Sequence, residues 1–317
     1  MGEGKIVMAT NSTLITSPFP DFLCAVVLLV SAMLNLFSFF LRRYRRRFLY
    51  PLLSLVLTLS IIVGSSQVAR AIPWFDLIFQ GIQVVQLSNI SDRQEVQIGK
   101  QINQQLVSQE FRVYRNPEIN RYINEIGQRL ELQSKRPDIP YTFQVIDDKG
   151  INAFATMGGF VYINRGLIAS ADNEAQLASV MAHEIGHIGA RHAIQQMRQT
   201  AIARGLATAA GLNSNTLVNI GVELALQRPN SRKDEFQADQ LGLETLMQTG
   251  YAPSGMVGFM EKLLKKGASV PSFLSTHPAT SERITALQQA INPARANVGE
   301  GLDSVAYKNR IRAILWA

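Results

Sequence analysis

The sequence predicts a mainly helical α+β domain with a small sheet of three to four strands and a helix that carries two histidines. Three observations predict this class. Apolar residues recur at helical spacing over most of the chain after residue 72, short alternating runs follow Pro137 and Pro140, and the pattern His-Glu-x-x-His lies inside an apolar helical stretch. At 317 residues the chain can bury a substantial core. Its single cysteine, Cys24, excludes a disulfide-stapled scaffold and a thiolate metal site.

Residues 1–71 are predicted to be a membrane or targeting region. Two apolar segments, 22–41 and 48–64, flank a cluster of five arginines. Either both segments are transmembrane helices joined by a cytoplasmic loop, or residues 42–71 form a signal peptide that ends in a small-x-small pattern. Both alternatives place the domain of residues 72–317 outside the cytoplasm, in a periplasm-type location, either anchored to the membrane or released after cleavage. A third alternative, two buried core helices, would require burying the arginines.

The net charge of +7 comes mostly from the residues before position 72, because residues 72–317 hold 24 basic and 22 acidic side chains. A basic cluster beside apolar segments is typical of contact with anionic lipid. We therefore expect the N-terminal segments to meet a membrane, and we expect no nucleic-acid partner.

Residues 72–133 are predicted to be largely helical. The stretch Arg93–Val107 places apolar residues at near-helical spacing, so one face is apolar. Asn116 and Pro117 start another helix. The residues that point inward from this second helix are Ile119, Ile123, Ile126 and Leu130.

A small sheet is predicted next. The stretches Tyr141–Asp147, Ile151–Met157 and Phe160–Ile163 are rich in β-branched and aromatic residues. The last two are separated only by Gly158 and Gly159, which predicts a hairpin because both positions can adopt a positive φ.

Helices are again predicted after the sheet. Asp172 or Asn173 can cap a helix that continues through the histidines. The stretch Thr200–Asn215 is rich in alanine and glycine, has no catalytic side chain, and is interpreted as close-packing or mobile. From Arg232 onward the pattern is helical again.

The pattern His-Glu-x-x-His is formed by His183, Glu184 and His187. The His and Glu frequencies of the chain give about 0.002 expected chance occurrences of this pattern. On a helix the two imidazoles project from one face and can reach the same ion, one Zn²⁺ per chain. Glu184 turns toward the open side of that ion, where a carboxylate can take a proton from water.

A catalytic zinc takes three protein ligands, and a second helical stretch provides a third. Glu235 and Asp239 are four residues apart, so we expect Glu235 to be the third ligand. Asp239 would orient a ligand histidine through its second nitrogen, or act as a proton donor. The structural alternative is a solvated acidic face with Arg232 and Lys233 as partners.

The spacing excludes a metzincin, whose pattern needs a glycine and a third histidine at the positions held here by Ala190 and Ala193. His192 stands about 100° around the helix from that ligand position. We expect His192 to be a hydrogen-bonded structural residue.

Together, the HEIGH motif, the later DEFQAD segment and the stretch NAFATMGGFVYINRGLI resemble the gluzincin zinc metallopeptidases, the family that includes HtpX, BepA and the CAAX prenyl proteases. The resemblance covers roughly Glu95 to Ala290. It implies a zincin-type metalloprotease fold, with the ligand role of Glu235 and the partner role of Asp239 carried by an E-x-x-x-D motif.

The resemblance also implies two further roles. The strand around Asn152, Ala153 and Phe154 would pair with the backbone of an extended substrate, although ordinary sheet core is the simpler interpretation of Phe154 alone. His277 would occupy the open zinc position as a fourth ligand and hold the enzyme inactive, whereas the residues alone indicate a loop histidine before proline.

The expected function is therefore that of a zinc-dependent endopeptidase. Its substrates would be polypeptides, namely exported or envelope proteins that are unfolded or misassembled. The alternatives are a non-proteolytic zinc-containing chaperone or assembly factor that binds extended peptides, and a zinc hydrolase of a non-peptide bond.

Overall fold

The structure is a computed structural model. It describes Leu87 and residues 89–206, 212–227, 230–265, 272–278 and 281–315, and these belong to one compact unit, Ile82–Ala317. The predicted membrane or targeting region, residues 1–71, lies outside the described residues, as does part of the alanine- and glycine-rich stretch. In the described ranges, every helix is too short or too polar to cross a bilayer.

The elements follow one another as helices, a three-stranded sheet and further helices. In chain order they are α1 Asp92–Gln105, a π-helical turn Leu106–Glu110, α2 Pro117–Glu131, β1 Thr142–Ile146, β2 Ala153–Thr156, β3 Phe160–Asn164, α3 Arg165–Ser170, α4 Glu174–Gly189, α5 His192–Ala203, α6 Ser214–Gln227, α7 Arg232–Gln248, α8 Ser254–Lys265, α9 Ser272–Thr276, α10 Ser281–Ala290, a 3₁₀ turn Pro293–Arg295, α11 Ser304–Arg310 and α12 Arg312–Leu315.

The sheet has the order β1-β3-β2, so β2 is at its edge. β1 runs parallel to β3, and β2 runs antiparallel to β3. The predicted hairpin is confirmed: Gly158 and Gly159 have φ values of 80° and 94°, which residues with a Cβ rarely adopt. A Cβ on Gly99 of α1 would lie 2.2 Å from the Met157 carbonyl oxygen, so α1 packs directly on this turn.

The first two helices begin where their capping residues predict. Ser91 accepts from the Gln94 amide in a reciprocal capping box at the start of α1, and Asn116 caps α2 ahead of its Pro117. The α-helical pattern of α1 ends at Gln105 and continues as the π-helical turn, which includes Val107. The apolar residues predicted to face inward from α2 are all buried.

Helix α4 is buried on every side from Ala175 to Gly189. Its N-cap is Asn173, whose side chain accepts from the Gln176 amide, whereas Asp172 pairs with Lys262 instead. A helix that is buried on every side must be covered by other elements on all of its faces. One apolar cluster joins α4 to α2, α7 and α8, and a second cluster joins α1 to α5 and α6.

Helices α4 and α7 touch through their backbones. A Cβ on Gly186 would lie 2.6 Å from the Ala238 carbonyl oxygen, and a Cβ on Gly242 would lie 2.9 Å from the backbone of His183. Because two glycines remove the side chains that would separate these helices, short carboxylates on α7 can reach the imidazoles of α4.

Candidate metal centre

Two histidines of α4, one glutamate of α7 and the histidine after α9 converge on one point. A nitrogen or carboxylate oxygen from each of His183, His187, Glu235 and His277 lies within 4.8 Å of the others, and all four residues are buried. Each of the four is a candidate ligand on sequence grounds, His277 through the family resemblance. The Glu235 carboxylate oxygens lie 3.4 Å from His183 Nε2 and 3.3 Å from His187 Nε2.

The separations of several of these atoms approach those expected around a shared zinc ion. Zinc bonds of about 2.0–2.2 Å place neighbouring corners of a tetrahedron about 3.3–3.6 Å apart. His183 Nε2 and His187 Nε2 are 3.1 Å apart, and they lie 3.4 Å from Glu235 Oε2 and 3.3 Å from Glu235 Oε1, respectively. His277 Nδ1 lies 3.3 Å from His183 Nε2 and 3.1 Å from Glu235 Oε1, so it belongs to the same group of atoms.

Charge gives an independent test of the same fit. Glu184, Glu235 and Asp239 are buried carboxylates, and the buried guanidinium of Arg283 contacts the last two. With the carboxylates ionised and the histidines neutral, as metal ligation requires, three negative groups and one positive group leave a formal charge of −2, which a divalent cation would neutralise. Burying such a charge without a counterion costs several kcal/mol per ion, about as much as a small domain's entire stability.

The second ring nitrogen of each of the two α4 histidines lies close to a polar group. His183 Nδ1 lies 2.9 Å from an oxygen of Asp239. His187 Nδ1 lies 2.8 Å from His192 Nδ1, and His192 Nε2 lies 3.2 Å from Gln237 Oε1. If His192 donates its Nε2–H to Gln237, its Nδ1 accepts from His187, so both α4 histidines direct a free Nε2 lone pair toward the centre.

His192 is therefore hydrogen-bonded, as its register predicted, and it lies directly behind a ligand histidine. The predicted alternative for α7 was a solvated acidic face, and it is wrong because Glu235 and Asp239 are buried. Arg232, its suggested partner, pairs instead with the exposed Glu282.

Arg283 of α10 is the residue of this site that the sequence did not reveal. Its guanidinium donates from Nε and Nη2 to both oxygens of Asp239, each at 2.6 Å, and Nη1 lies 2.7 Å from Glu235 Oε2. Two buried carboxylates require a cationic partner, and this was the one signal that could have predicted such a residue. The signal does not indicate where in the chain that partner lies.

Glu184 is fully buried, and neither of its carboxylate oxygens has a hydrogen-bond partner among the described residues. The nearest polar group is His277 Nε2, 3.4 Å from Glu184 Oε1. A buried carboxylate in this state has lone pairs free for a water or a substrate proton. Burial raises the pKa of Glu184, which makes it a better proton acceptor near neutral pH.

The other titrating groups are shifted by the same surroundings. Burial would lower the pKa of His183, but contacts with Asp239 and Glu235 outweigh it and raise that pKa to about 10. Burial lowers the pKa of His187 to about 3. Burial would raise the pKa of Glu235, but contacts with the histidines outweigh it and lower that pKa. Burial would likewise raise the pKa of Asp239, but the contact with Arg283 outweighs it and lowers that pKa.

The predicted substrate strand lies beside this centre. β2 has β3 as its one partner strand among the described residues, and the Phe273 amide bonds the Ile151 carbonyl just ahead of β2. The Phe154 ring is buried and stacks on Tyr162 with centroids 4.6 Å apart, so this side chain is sheet core. The side-chain oxygen of Asn152 is buried and has no hydrogen-bond partner among the described residues.

A buried carboxylate fixes the end of β2. Glu95 of α1 is 1% exposed, and it bonds Arg136, Arg191 and the Gly158 amide. Arg191 is the second residue after the end of α4 and has a φ of 59°. The ion cluster thus joins the turn after β2 to the end of the histidine helix and sets their separation.

Comparison with known proteins identifies the family of the chain. Peptidase family M48 matches residues 117–291. The chain is 35% identical over 190 residues to a putative beta-barrel assembly-enhancing protease of Vibrio cholerae, covering 55% of this chain and 39% of that protein. It is 32% identical over 227 residues to the beta-barrel assembly-enhancing protease of Escherichia coli, covering 67% and 46%.

A mitochondrial metalloendopeptidase OMA1 of Schizosaccharomyces pombe is 29% identical over 184 residues, covering 55% of this chain and 53% of that protein. The chain thus spans less than half of the two assembly-enhancing proteases and about half of this mitochondrial relative.

Proposed function

Because this chain belongs to peptidase family M48, we propose that it is a zinc-dependent endopeptidase. The observation that carries the proposal is the buried Glu184 carboxylate without a hydrogen-bond partner among the described residues, beside four candidate ligand atoms that lie within 4.8 Å of one another. His183, His187 and Glu235 would hold the ion. The relatives carry the words protease and metalloendopeptidase in their names.

A bound zinc supplies Lewis acidity, which polarises the scissile carbonyl and lets water act as a nucleophile near neutral pH. Glu184 takes a proton from the attacking water and holds it on a carboxylate oxygen. It then gives that proton to the leaving amine nitrogen as the C–N bond breaks, so the carboxylate is regenerated.

Asp239 acts as the orienting partner of His183 and not as a proton donor. Arg283 donates to both of its oxygens and lowers its pKa, so the carboxylate stays ionised. An ionised Asp239 lies 2.9 Å from His183 Nδ1, so it would attract the proton on that nitrogen and favour one imidazole orientation.

The substrate backbone would lie along the free side of β2, with Asn152, Ala153 and Phe154 contributing main-chain groups. A sheet edge binds any extended peptide through backbone hydrogen bonds, so this mode suits unfolded polypeptides. The names of two relatives refer to β-barrel assembly. We infer that the substrates are exported or envelope proteins that are unfolded or misassembled, met outside the cytoplasm by a chain tethered or targeted through residues 1–71.

His277 would act as a latch. Its Nδ1 lies 3.3 Å from His183 Nε2 and its Nε2 lies 3.4 Å from Glu184 Oε1, so one imidazole would cover both the open position of a bound ion and the general base. Two contacts hold it there: Asn230 Nδ2 lies 3.2 Å from His277 Nδ1, and the Phe273 ring stacks on the imidazole with centroids 4.7 Å apart.

The latch is tested by removing the imidazole. If the open state holds at most about a tenth of the molecules, His277→Ala raises casein cleavage on the order of tenfold or more. Unchanged cleavage together with unchanged zinc content would refute the latch.

The function is tested with the full chain purified in detergent. We expect about one zinc per chain by elemental analysis, cleavage of casein, and loss of cleavage with a chelator that added zinc reverses. Glu184→Gln should lower cleavage about 10²–10⁴-fold while zinc content is kept. Glu244→Gln, an exposed glutamate of α7, is the matched control and should cleave normally. Casein binding without cleavage by the unaltered, zinc-loaded chain would instead identify a zinc-containing chaperone.

A further inference from the structure

A cavity opens beside Glu184 and His187 and is lined by residues of α1, β2, α5 and α6. Its walls away from the metal ligands are formed by Ile102, Phe154, Met157, Met197 and Leu224. The proposed reaction uses Glu184 and His187 but none of these side chains. The cavity therefore needs an explanation of its own.

The walls of the cavity combine polar and apolar side chains. Glu184 is the one charged side chain among the residues that line it. The two amides of the lining are already paired, because Gln196 donates to the Asn230 side chain at 2.5 Å and Asn230 contacts His277. Apart from Thr156, Thr276 and the histidines, the other lining side chains present carbon and sulfur atoms, which favour apolar groups.

The size of the cavity limits the occupant further. Its volume is about 60 Å³. A cavity of about 150 Å³ holds a benzene ring, so this one holds two to four carbon atoms. The wall formed by α1 and α6 has little room to move outward, because these helices are in contact there. A Cβ on Gly221 would lie 2.3 Å from Ile102 Cδ1.

We propose that this cavity is the side-chain subsite for the substrate residue next to the scissile bond, and that it selects an aliphatic residue of valine or leucine size. The proposal rests on the proposed function and adds the substrate preference. Glu184 itself lines the cavity, so the side chain next to a peptide group that reaches Glu184 can enter it. Aromatic rings are too large and charged groups would lose their hydration.

The preference is measured by cleaving a peptide library with the full chain in detergent and locating the cleavage sites by mass spectrometry. We expect valine or leucine at one position flanking the cleaved bond, favoured over aspartate on the order of a hundredfold. A single methylene in such a pocket changes the rate about tenfold or more.

Two half-buried residues of the wall allow the cavity to be resized without touching the catalytic groups. Leu224→Ala enlarges it and should shift the preference toward phenylalanine, whereas Ala225→Leu fills it and should shift the preference toward alanine. Leu226→Ala, on the exposed face of α6, removes the same atoms outside the cavity and should leave the profile unchanged. Thermal melting of each variant verifies that it is folded.

A binding measurement separates failure of this inference from failure of the proposed function. The Glu184→Gln chain is mixed with fluorescent alanine–glycine octapeptides that carry one leucine, phenylalanine or aspartate. Leucine should bind on the order of tenfold more tightly than either of the others, and Ala225→Leu should remove the difference. Equal binding of the three peptides, or cleavage profiles that do not respond to Leu224→Ala and Ala225→Leu, would overturn the subsite. An absence of cleavage by the unaltered chain would overturn only the proposed function.

Discussion

Replacing Arg283 by methionine should destabilise the metal-free protein strongly. The side chain is 2% exposed and its guanidinium faces both Asp239 and Glu235 at 2.6–2.7 Å. Removing one partner of a buried ionic group leaves uncompensated charge and costs about 3–5 kcal/mol of the free energy of unfolding. For a domain of this size each kcal/mol lowers Tm by about 2–4 °C, so the expected loss is about 6–20 °C.

The assay is thermal unfolding of the chelated full chain, followed by circular dichroism. Arg310→Met is the matched control, because Arg310 pairs at 2.8 Å with Glu125 on the surface and both side chains are about half exposed. An exposed pair contributes about 0–1 kcal/mol, so the control should melt within about 4 °C of the unaltered protein.

A double variant isolates the pair itself. Combining Arg283→Met with Asp239→Asn removes one charge of each sign, so part of the stability lost in Arg283→Met should return. The reasoning is refuted if Arg283→Met melts within about 2 °C of the unaltered protein. It is also refuted if the stability losses of Arg283→Met and Asp239→Asn simply add in the double variant, because Arg283 then does not compensate the buried carboxylates.

Three further outcomes are expected. His192→Ala removes the partner of His187 Nδ1, so zinc affinity should fall about 10–100-fold in a competition titration with a chromophoric chelator, and an unchanged affinity would deny it an orienting role. Gly186→Ala puts a methyl group 2.6 Å from the Ala238 carbonyl oxygen and should lower the free energy of unfolding in urea by about 1–3 kcal/mol. Gly189→Ala on the same helix is the control and should cost less, because its added Cβ meets its nearest atom, in Lys135, at 3.3 Å. Chelation should lower the unfolding free energy by about 4 kcal/mol relative to protein at free zinc of about 1,000 Kd, and a Tm independent of zinc would exclude a metal in the folded state.

The parts of the site that could be predicted are those whose signal is local. The spacing of His183 and His187 on one helical turn, and of Glu235 and Asp239 on another, sufficed because a helix converts a spacing of four residues into a shared face. The Gly158-Gly159 hairpin followed from a backbone requirement that few other residues meet. The cap at Asn173 was one of two alternatives, since either side chain could accept from the helix amides.

The parts that could not be predicted depend on packing between distant segments. Arg283 lies 44 residues from Asp239 in a helix that carries no motif, so its role appears only when α10 packs against α7. The parallel pairing of β1 with β3 is likewise a matter of tertiary arrangement. Gly186 and Gly242 could be seen in the sequence, but their opposed positions across α4 and α7 could not.

The position of Arg283 in the chain bears on when the buried site can first assemble during synthesis. A nascent polypeptide that ends shortly after Asp239 already contains both imidazoles and all three carboxylates, yet it lacks the guanidinium that contacts Glu235 and Asp239. In the absence of a metal ion, burying these carboxylates between α4 and α7 at that stage would leave their negative charge uncompensated. The metal-free site is therefore expected to close only after synthesis has passed α10.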